Sequence, residues 1–236
     1  MKLKELKKDF GYFLMSYPRS GSNWFRYCSE FLTKKPSIGP NHNQTVLNSP
    51  FGSRLEMGVD LSRDYILYRA HELEEGVEGK PLIILIRNYK ECILRHTHRG
   101  SSGATLSQIK EVFSREKLMY LNVLRFYEKS KENKFIVYYE DLIKYPESTL
   151  RGVLEFFGEN GNYLKDFINN YDRHRATSYN QYTTLLEKSE TQGDPNKLKY
   201  HSNFLSGDIL LQIDQLFKEE KVLFDKYLLR YEERAF

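Results

Sequence analysis

Residues 17–24 read Tyr17-Pro18-Arg19-Ser20-Gly21-Ser22-Asn23-Trp24, and the chain on either side of them changes character. Before them, Tyr12–Ser16 is a short, mostly apolar run of the kind that forms a buried strand. After them, Trp24, Cys28, Phe31 and Leu32 recur at the spacing of one helix face. A strand that passes straight into a helix through Ser and Gly aims successive backbone N–H groups at one point. Here these are the N–H groups of Ser20, Gly21, Ser22 and Asn23, and the helix adds the positive end of its dipole. Gly21 admits close backbone approach, the serine hydroxyls add donors, and Arg19 supplies a planar fork suited to phosphate or sulfate oxygens. The stretch is therefore expected to be an anion cradle, with Trp24 just inside the helix offering a flat face to a base. An ordinary capped turn is the plainer alternative. A Walker A loop is excluded: the one Gly-Lys pair, Gly79-Lys80, is followed by Pro81, and no G-x-G-x-x-G occurs.

Further along, strands and helices alternate. YILYRAH (Tyr65–His71) and PLIILIRN (from Pro81 to about Arg87) read as strands. The unbroken apolar character of the second suits a parallel sheet covered on both faces. A helix is expected over Tyr89–His98. A longer one follows, with Leu106, Ile109, Phe113, Tyr120, Leu124 and Tyr127 on one face. KFIVYY (Lys134–Tyr139) is a further strand, and Leu150, Val153, Leu154 and Phe157 mark the helix after it. Pro36, Gly39, Pro40, Pro50, Gly52 and Gly58 crowd a long irregular loop, and SETQGDPNK (Ser189–Lys197) interrupts a helical final third. Strand–helix alternation with right-handed crossovers gives a three-layer α/β/α domain on a central parallel sheet, expected to be one domain over 1–236.

Composition narrows the possibilities. With 236 residues, 40% hydrophobic and 29% charged, the chain can bury a sizeable core, which argues against disorder and fibrous repeats. Two cysteines, Cys28 and Cys92, are too few for a disulfide scaffold, so a reducing, cytoplasmic setting is expected. The longest purely apolar run, Leu82–Ile86, cannot cross a bilayer, and MKLKELKKDF at the start lacks the apolar stretch of a secretory signal. The net charge of +4 permits an anionic ligand without arguing for nucleic acid or a membrane as partner.

Taken together, YFLMSYPRSGSNW resembles the 5′-phosphosulfate loop of the cytosolic-type sulfotransferases, YPKSGTxW. In the family's order, YRAH resembles the K-x-H strand end, IILIRNYKECILRH the RNPKDxxxS strand–helix, VYYEDL the YEDL segment, and QGDPNK the C-terminal GDWKN element. Each match is short. The ordered set spans Tyr12 to Lys197. The resemblance implies a P-loop NTPase-like sulfotransferase fold. It also implies transfer of a sulfuryl group from 3′-phosphoadenosine 5′-phosphosulfate (PAPS, leaving PAP) to a small-molecule hydroxyl or amine, without a required metal.

The roles that the resemblance implies can be set beside the chemistry. His71 is the general base, and a neutral imidazole at a strand's carboxyl end suits that task. Arg19 stands at the family's lysine beside the leaving phosphate; it can hold developing charge but cannot readily give up a proton. Arg69, also in place of a lysine, contacts the sulfate or that phosphate, or is a solvated strand-end charge. Arg87 grips the 3′-phosphate. The family's serine eight residues on is Arg95, which is expected to join Arg87 but could point away. Trp24 stacks on adenine or anchors the core, and Tyr139 lies near the adenine amino group or in the core. Lys188 is the basic residue that survives ahead of QGDPNK, in a lid over the nucleotide or an ordinary loop.

Other readings stay in view. A nucleotide-dependent kinase would need a Mg²⁺-holding Ser or Thr after a P-loop Lys, which is missing, and an acidic strand end, for which Asp141 is a loose candidate. A nucleotide-binding module that has lost turnover fits the arginines at 19, 69 and 95 but not the retained His71. Cys92, His96 and His98 lack a fourth ligand at zinc spacing. The acceptor's identity is not legible, its pocket being expected from the loop between Pro36 and Asp64 and from Arg99–Ala104. A homodimer is an open possibility.

Overall fold

The computed structural model describes residues 9–39, 57–72, 77, 79–97, 106–185 and 205–232. Along the chain these form β1 (Phe10–Ser16), α1 (Ser22–Thr33), β2 (Ser37–Ile38), β3 (Tyr65–Ala70), β4 (Leu82–Ile86), α2 (Tyr89–His96), α3 (Leu106–Lys129), β5 (Lys134–Tyr138), α4 (Tyr139–Lys144), α5 (Pro146–Phe156), α6 (Leu164–Asn169), α7 (Tyr171–Leu185) and α8 (Gly207–Lys218). Short helical turns over Lys221–Leu223, Phe224–Leu228 and Leu229–Tyr231 follow.

The five strands make one sheet in the order β2-β3-β1-β4-β5, every neighbouring pair parallel. The apolar run Leu82–Ile86 is buried along its whole length, as expected of a strand covered on both faces. Alternating side chains divide the core. Phe13, Met15, Tyr68, Ala70, Ile84 and Ile86 pack on one face against α2, α3, α8 and the C-terminal turns. Leu14, Leu67, Ile83, Leu85 and Val137 pack on the other against α1, α5 and α6. Helices on both faces of a parallel sheet give the three layers expected from the sequence. Each fully buried Leu or Ile of β4 contributes about 1.5–3 kcal/mol through burial.

Several element boundaries differ from the sequence expectation: β3 stops at Ala70, β4 spans only Leu82–Ile86, and three further differences have a visible cause. β1 starts earlier, at Phe10, because Phe10 is buried and its ring packs 5.5 Å from Tyr68. β5 stops at Tyr138 and Tyr139 opens α4, so the YED residues sit at a strand-to-helix corner. Helix α2 ends at His96, where Thr97 returns both its N–H (3.0 Å) and its hydroxyl (2.7 Å) to the Ile93 carbonyl. β1 lies between β3 and β4, and the chain leaves the β3 side to continue on the β4 side. Such a reversal opens a crevice at the carboxyl ends of the strands, the usual ligand position in open α/β sheets. No helix among the described residues is long and apolar enough to cross a membrane.

Candidate active site

The carboxyl ends of β1, β3 and β4 carry Tyr17–Ser20, His71 and Arg87 respectively, so three segments far apart in sequence meet at one edge. Tyr17 anchors the first. Its buried ring meets Tyr120 at 5.1 Å and the His96 ring edge-on at 5.6 Å, and its hydroxyl donates to Glu116 at 2.8 Å. The chain then turns through two residues of positive φ, Arg19 (67°) and Gly21 (92°). Gly21 is the N-cap of α1, whose first turn has neither a side-chain cap nor an acidic residue. The N–H groups at the start of that helix have no carbonyl one turn back to meet, and the dipole adds positive potential there.

Within this loop the donors are not all equivalent. The Ser20 N–H closes the turn on the Tyr17 carbonyl at 3.3 Å, and the fully buried Ser20 hydroxyl lies 3.4 Å from the Cys92 sulfur. Ser20 therefore shapes the loop, while Gly21, Ser22 and Asn23 open the helix. Ser22 is buried and Asn23 half-buried. Gly21 is needed for a reason the sequence did not reveal: a Cβ there would fall 2.3 Å from Cδ2 and Cε2 of the Tyr139 ring.

Tyr139 in turn carries Arg87. The guanidinium carbon lies 4.3 Å from the ring centroid, and Nη1 donates to the Arg19 carbonyl at 3.2 Å. Arg87 is only 5% exposed, and its Nε is buried with no hydrogen-bond partner. Arg95, one face of α2 further on, donates from Nε to the buried Glu91 carboxylate at 3.2 Å. Burial first, and then the neighbouring Arg87 charge, lower the Arg95 pKa. Two guanidinium groups thus sit close enough to repel, with Glu91 beside them.

His71 follows β3. The parallel pairing of Met15 with Ala70 sets the next residues, Ser16 and His71, side by side. The His71 Nδ1–H donates to the Ser16 carbonyl at 2.8 Å, and the Ser16 hydroxyl lies 3.4 Å from the same nitrogen. With Nδ1 holding the proton, Nε2 keeps its lone pair. Burial, followed by the positive charge of Arg69, pushes the His71 pKa down to about 4, against the favourable bond to Ser16. Arg69 itself lies beside the backbone of Gly39, just past β2.

Trp24 makes the contacts of a core anchor. It is 8% exposed, lies nearly parallel to Tyr27 at 5.5 Å, and touches Phe167 and Tyr171 at 5.9 and 5.6 Å. Asp141, the loose candidate for an acidic strand end, is held by both Arg230 nitrogens at 2.9 and 2.6 Å. Cys92 faces Ser20, its thiol pushed up to about 12 by burial, while His96 packs on Tyr17. Lys188, His98, QGDPNK and Arg99–Ala104 lie outside the described residues, as does most of the Pro36–Asp64 loop.

Sequence reasoning did not single out Ser16, Glu91 and Glu140. The signal for Ser16 was its place as the last residue of the first strand, whose carbonyl any neighbouring strand end can reach. Glu140 was visible only as part of YEDL.

No family model matches the sequence, and no curated protein does. Solved structures do. The mouse sulfotransferase SULT7A1 complexed with PAP superposes with a TM-score of 0.58 at 18% identity, over 94% of this chain and 89% of that one. The sulfotransferase domain of the Synechococcus PCC 7002 olefin synthase gives 0.50 at 14% identity, over 94% and 98%. With its all-parallel sheet flanked by helices on both faces, the chain has the P-loop-like fold of the sulfotransferases.

Proposed function

We propose that this chain is a PAPS-dependent sulfotransferase that moves a sulfuryl group onto a hydroxyl or amine of a small-molecule acceptor by in-line displacement, with His71 as general base. The observation that carries the proposal is the 2.8 Å bond from His71 Nδ1 to the Ser16 carbonyl. It fixes the tautomer in which Nε2 accepts a proton, and the low pKa keeps the ring neutral at physiological pH. PAPS, when bound, supplies the activated sulfuryl group.

The residues present fit that donor. Arg87 offers a buried, unpartnered Nε and Arg95 a second guanidinium, a pairing that an added 3′-phosphate dianion would stabilise. Arg19 and the uncapped start of α1, including Gly21, Ser22 and Asn23, sit where the 5′-phosphosulfate end would dock. Ser20 holds the turn, and Arg69 adds positive charge beside His71. Tyr139, whose ring lies over Gly21, and Trp24, early in α1, are the aromatic groups this reading gives to adenine. Lys188 belongs to a loop that closes on the nucleotide in this reading. Arginine at position 19 supplies charge without a transferable proton, so the leaving group departs as the anion. No metal takes part.

Mass-detected sulfuryl transfer from PAPS across a panel of alcohols, phenols, sugars and amines tests the reading. Transfer that needs PAPS rather than ATP and survives EDTA is expected. The absence of calorimetric heat with both PAPS and PAP on folded protein would overturn it.

A further inference from the structure

Behind the nucleotide-facing residues lies a second, fully internal set of polar contacts. Glu140 is buried, and its two oxygens do different work: Oε1 accepts the Asn88 N–H at 3.1 Å and Oε2 accepts the Tyr231 hydroxyl at 2.7 Å. Asn88 directly follows Arg87, and Glu140 directly follows Tyr139. The same two backbone corners are therefore joined twice, in front by the Arg87 guanidinium on the Tyr139 ring at 4.3 Å and behind by the Glu140 carboxylate.

The clasp continues into the C-terminal elements. Lys90 donates to the Tyr231 carbonyl at 3.1 Å and pairs with Asp214 of α8 at 2.6 Å, and Tyr89 also donates to Asp214. The Asn88 side chain caps α2 by accepting the Lys90 N–H at 3.0 Å, and the Arg87 carbonyl accepts the Tyr120 hydroxyl at 2.5 Å. Asn88, Lys90, Glu140, Asp214 and Tyr231 are all buried. Apolar side chains of similar volume would hold these elements together at least as well as buried charges do. What a fully satisfied polar network adds is a fixed geometry.

Resting on the reading that Arg87 grips a 3′-phosphate, we infer that Glu140 and Tyr231 are positioning residues for Arg87, through which the C-terminal turns set discrimination for nucleotides with a 3′-phosphate. A long guanidinium side chain gains most in affinity when its backbone corner and its stacking ring are already held in register. A carboxylate shared between the two corners does this without touching the ligand.

Tyr231→Phe removes one hydroxyl from a ring that is otherwise part of the core, and Glu140→Gln keeps an acceptor for the Asn88 N–H while deleting the charge. Each is titrated by calorimetry with adenosine 3′,5′-bisphosphate and with adenosine 5′-monophosphate, which lacks the 3′-phosphate. The bisphosphate is expected to bind about five- to tenfold more weakly to Tyr231→Phe, the scale of one intramolecular hydrogen bond. Affinity for the monophosphate should stay within about twofold, with Glu140→Gln intermediate. A merely structural role would weaken both nucleotides alike or neither, and that result in either variant overturns the inference. If the unaltered protein fails to prefer the bisphosphate, the assignment of Arg87 to the 3′-phosphate falls first and the inference with it.

Discussion

The two strand-to-helix corners at the carboxyl edge of the sheet, after β1 and after β4, perform similar tasks by opposite means. The first is shaped by backbone: two positive φ values in three residues, a helix with no side-chain cap, and a glycine pressed under an aromatic ring. The second is shaped by side chains: Asn88 caps its helix, Glu140 holds its backbone, and Tyr120 takes the Arg87 carbonyl. Backbone shaping leaves N–H groups pointing outward but tolerates no added Cβ. Side-chain shaping tolerates changes of size better than it tolerates an orphaned polar partner. Mutations should therefore fail differently at the two corners.

The largest effect belongs to the histidine that the first corner orients. His71→Ala is expected to lower sulfuryl transfer by roughly 10²–10⁴-fold, the usual weight of a general base, while calorimetric affinity for PAP stays within a few fold. With a pKa pushed down to about 4, His71 is neutral well below neutrality. The pH profile of kcat/KM should therefore stay flat from pH 8 to about 5 and fall only toward 4, whereas an unshifted imidazole would turn it down near 6.5. Stability carries the same sign. A folded pKa below the unfolded one means that the contribution is complete above about pH 6.5 and is lost as the pH falls through 4.

Arg87→Ala comes next, at the second corner. Removing a buried guanidinium that makes charge-assisted bonds should weaken PAP binding by about 10- to 150-fold, read by the same titration. Unchanged affinity would detach the second corner from nucleotide binding altogether. Gly21→Ala tests the first corner's intolerance of bulk. A positive φ costs about 1–2 kcal/mol for a residue with a Cβ, and the 2.3 Å approach to Tyr139 must also be relieved by moving the ring off Arg87. Chemical denaturation should show a loss of about 2–4 kcal/mol. The double variant Gly21→Ala, Tyr139→Ala should relieve the clash but not the φ strain.

The contrast also explains what could be read from the sequence. Residues whose role follows from local pattern were legible: Leu82–Ile86 as a buried parallel strand, Gly21 as a turn, and His71 and Arg87 as strand-end groups. Partners brought in from distant chain were not. Nothing near Gly21 announces that Tyr139 will cover it, and nothing near Ser16 announces that its carbonyl will choose the histidine tautomer. The strand reading of KFIVYY ran one residue too far because Tyr139 is as good a strand former as Tyr138. Pairing, not propensity, distinguishes the two: β4 ends at Ile86, whose partner is Tyr138, so Tyr139 has no strand residue beside it. Trp24 was read two ways because a Trp at a helix start suits both a base and a core, and its contacts with Tyr27, Phe167 and Tyr171 come from helices whose packing no local pattern encodes.

The smallest effect is expected from Arg95, and it bears most directly on how the second corner works. Without a ligand, Arg95 is held by Glu91 on one side and repelled by Arg87 on the other. Arg95→Ser removes that repulsion together with the ion pair to the fully buried Glu91, so the two changes oppose each other in the stability of the protein without nucleotide. Binding should weaken, because a hydroxyl gives the 3′-phosphate a single neutral bond where a guanidinium gives charged ones. A loss of only a few fold in PAP affinity follows from partial exposure, since solvent screens a charge at the mouth of a site more than one sealed within it. The difference from the unaltered protein should also shrink as salt rises from 50 to about 500 mM, where the screening length drops to a few ångströms. A salt-independent difference would mean that Arg95 acts through shape, and the second corner would then resemble the first.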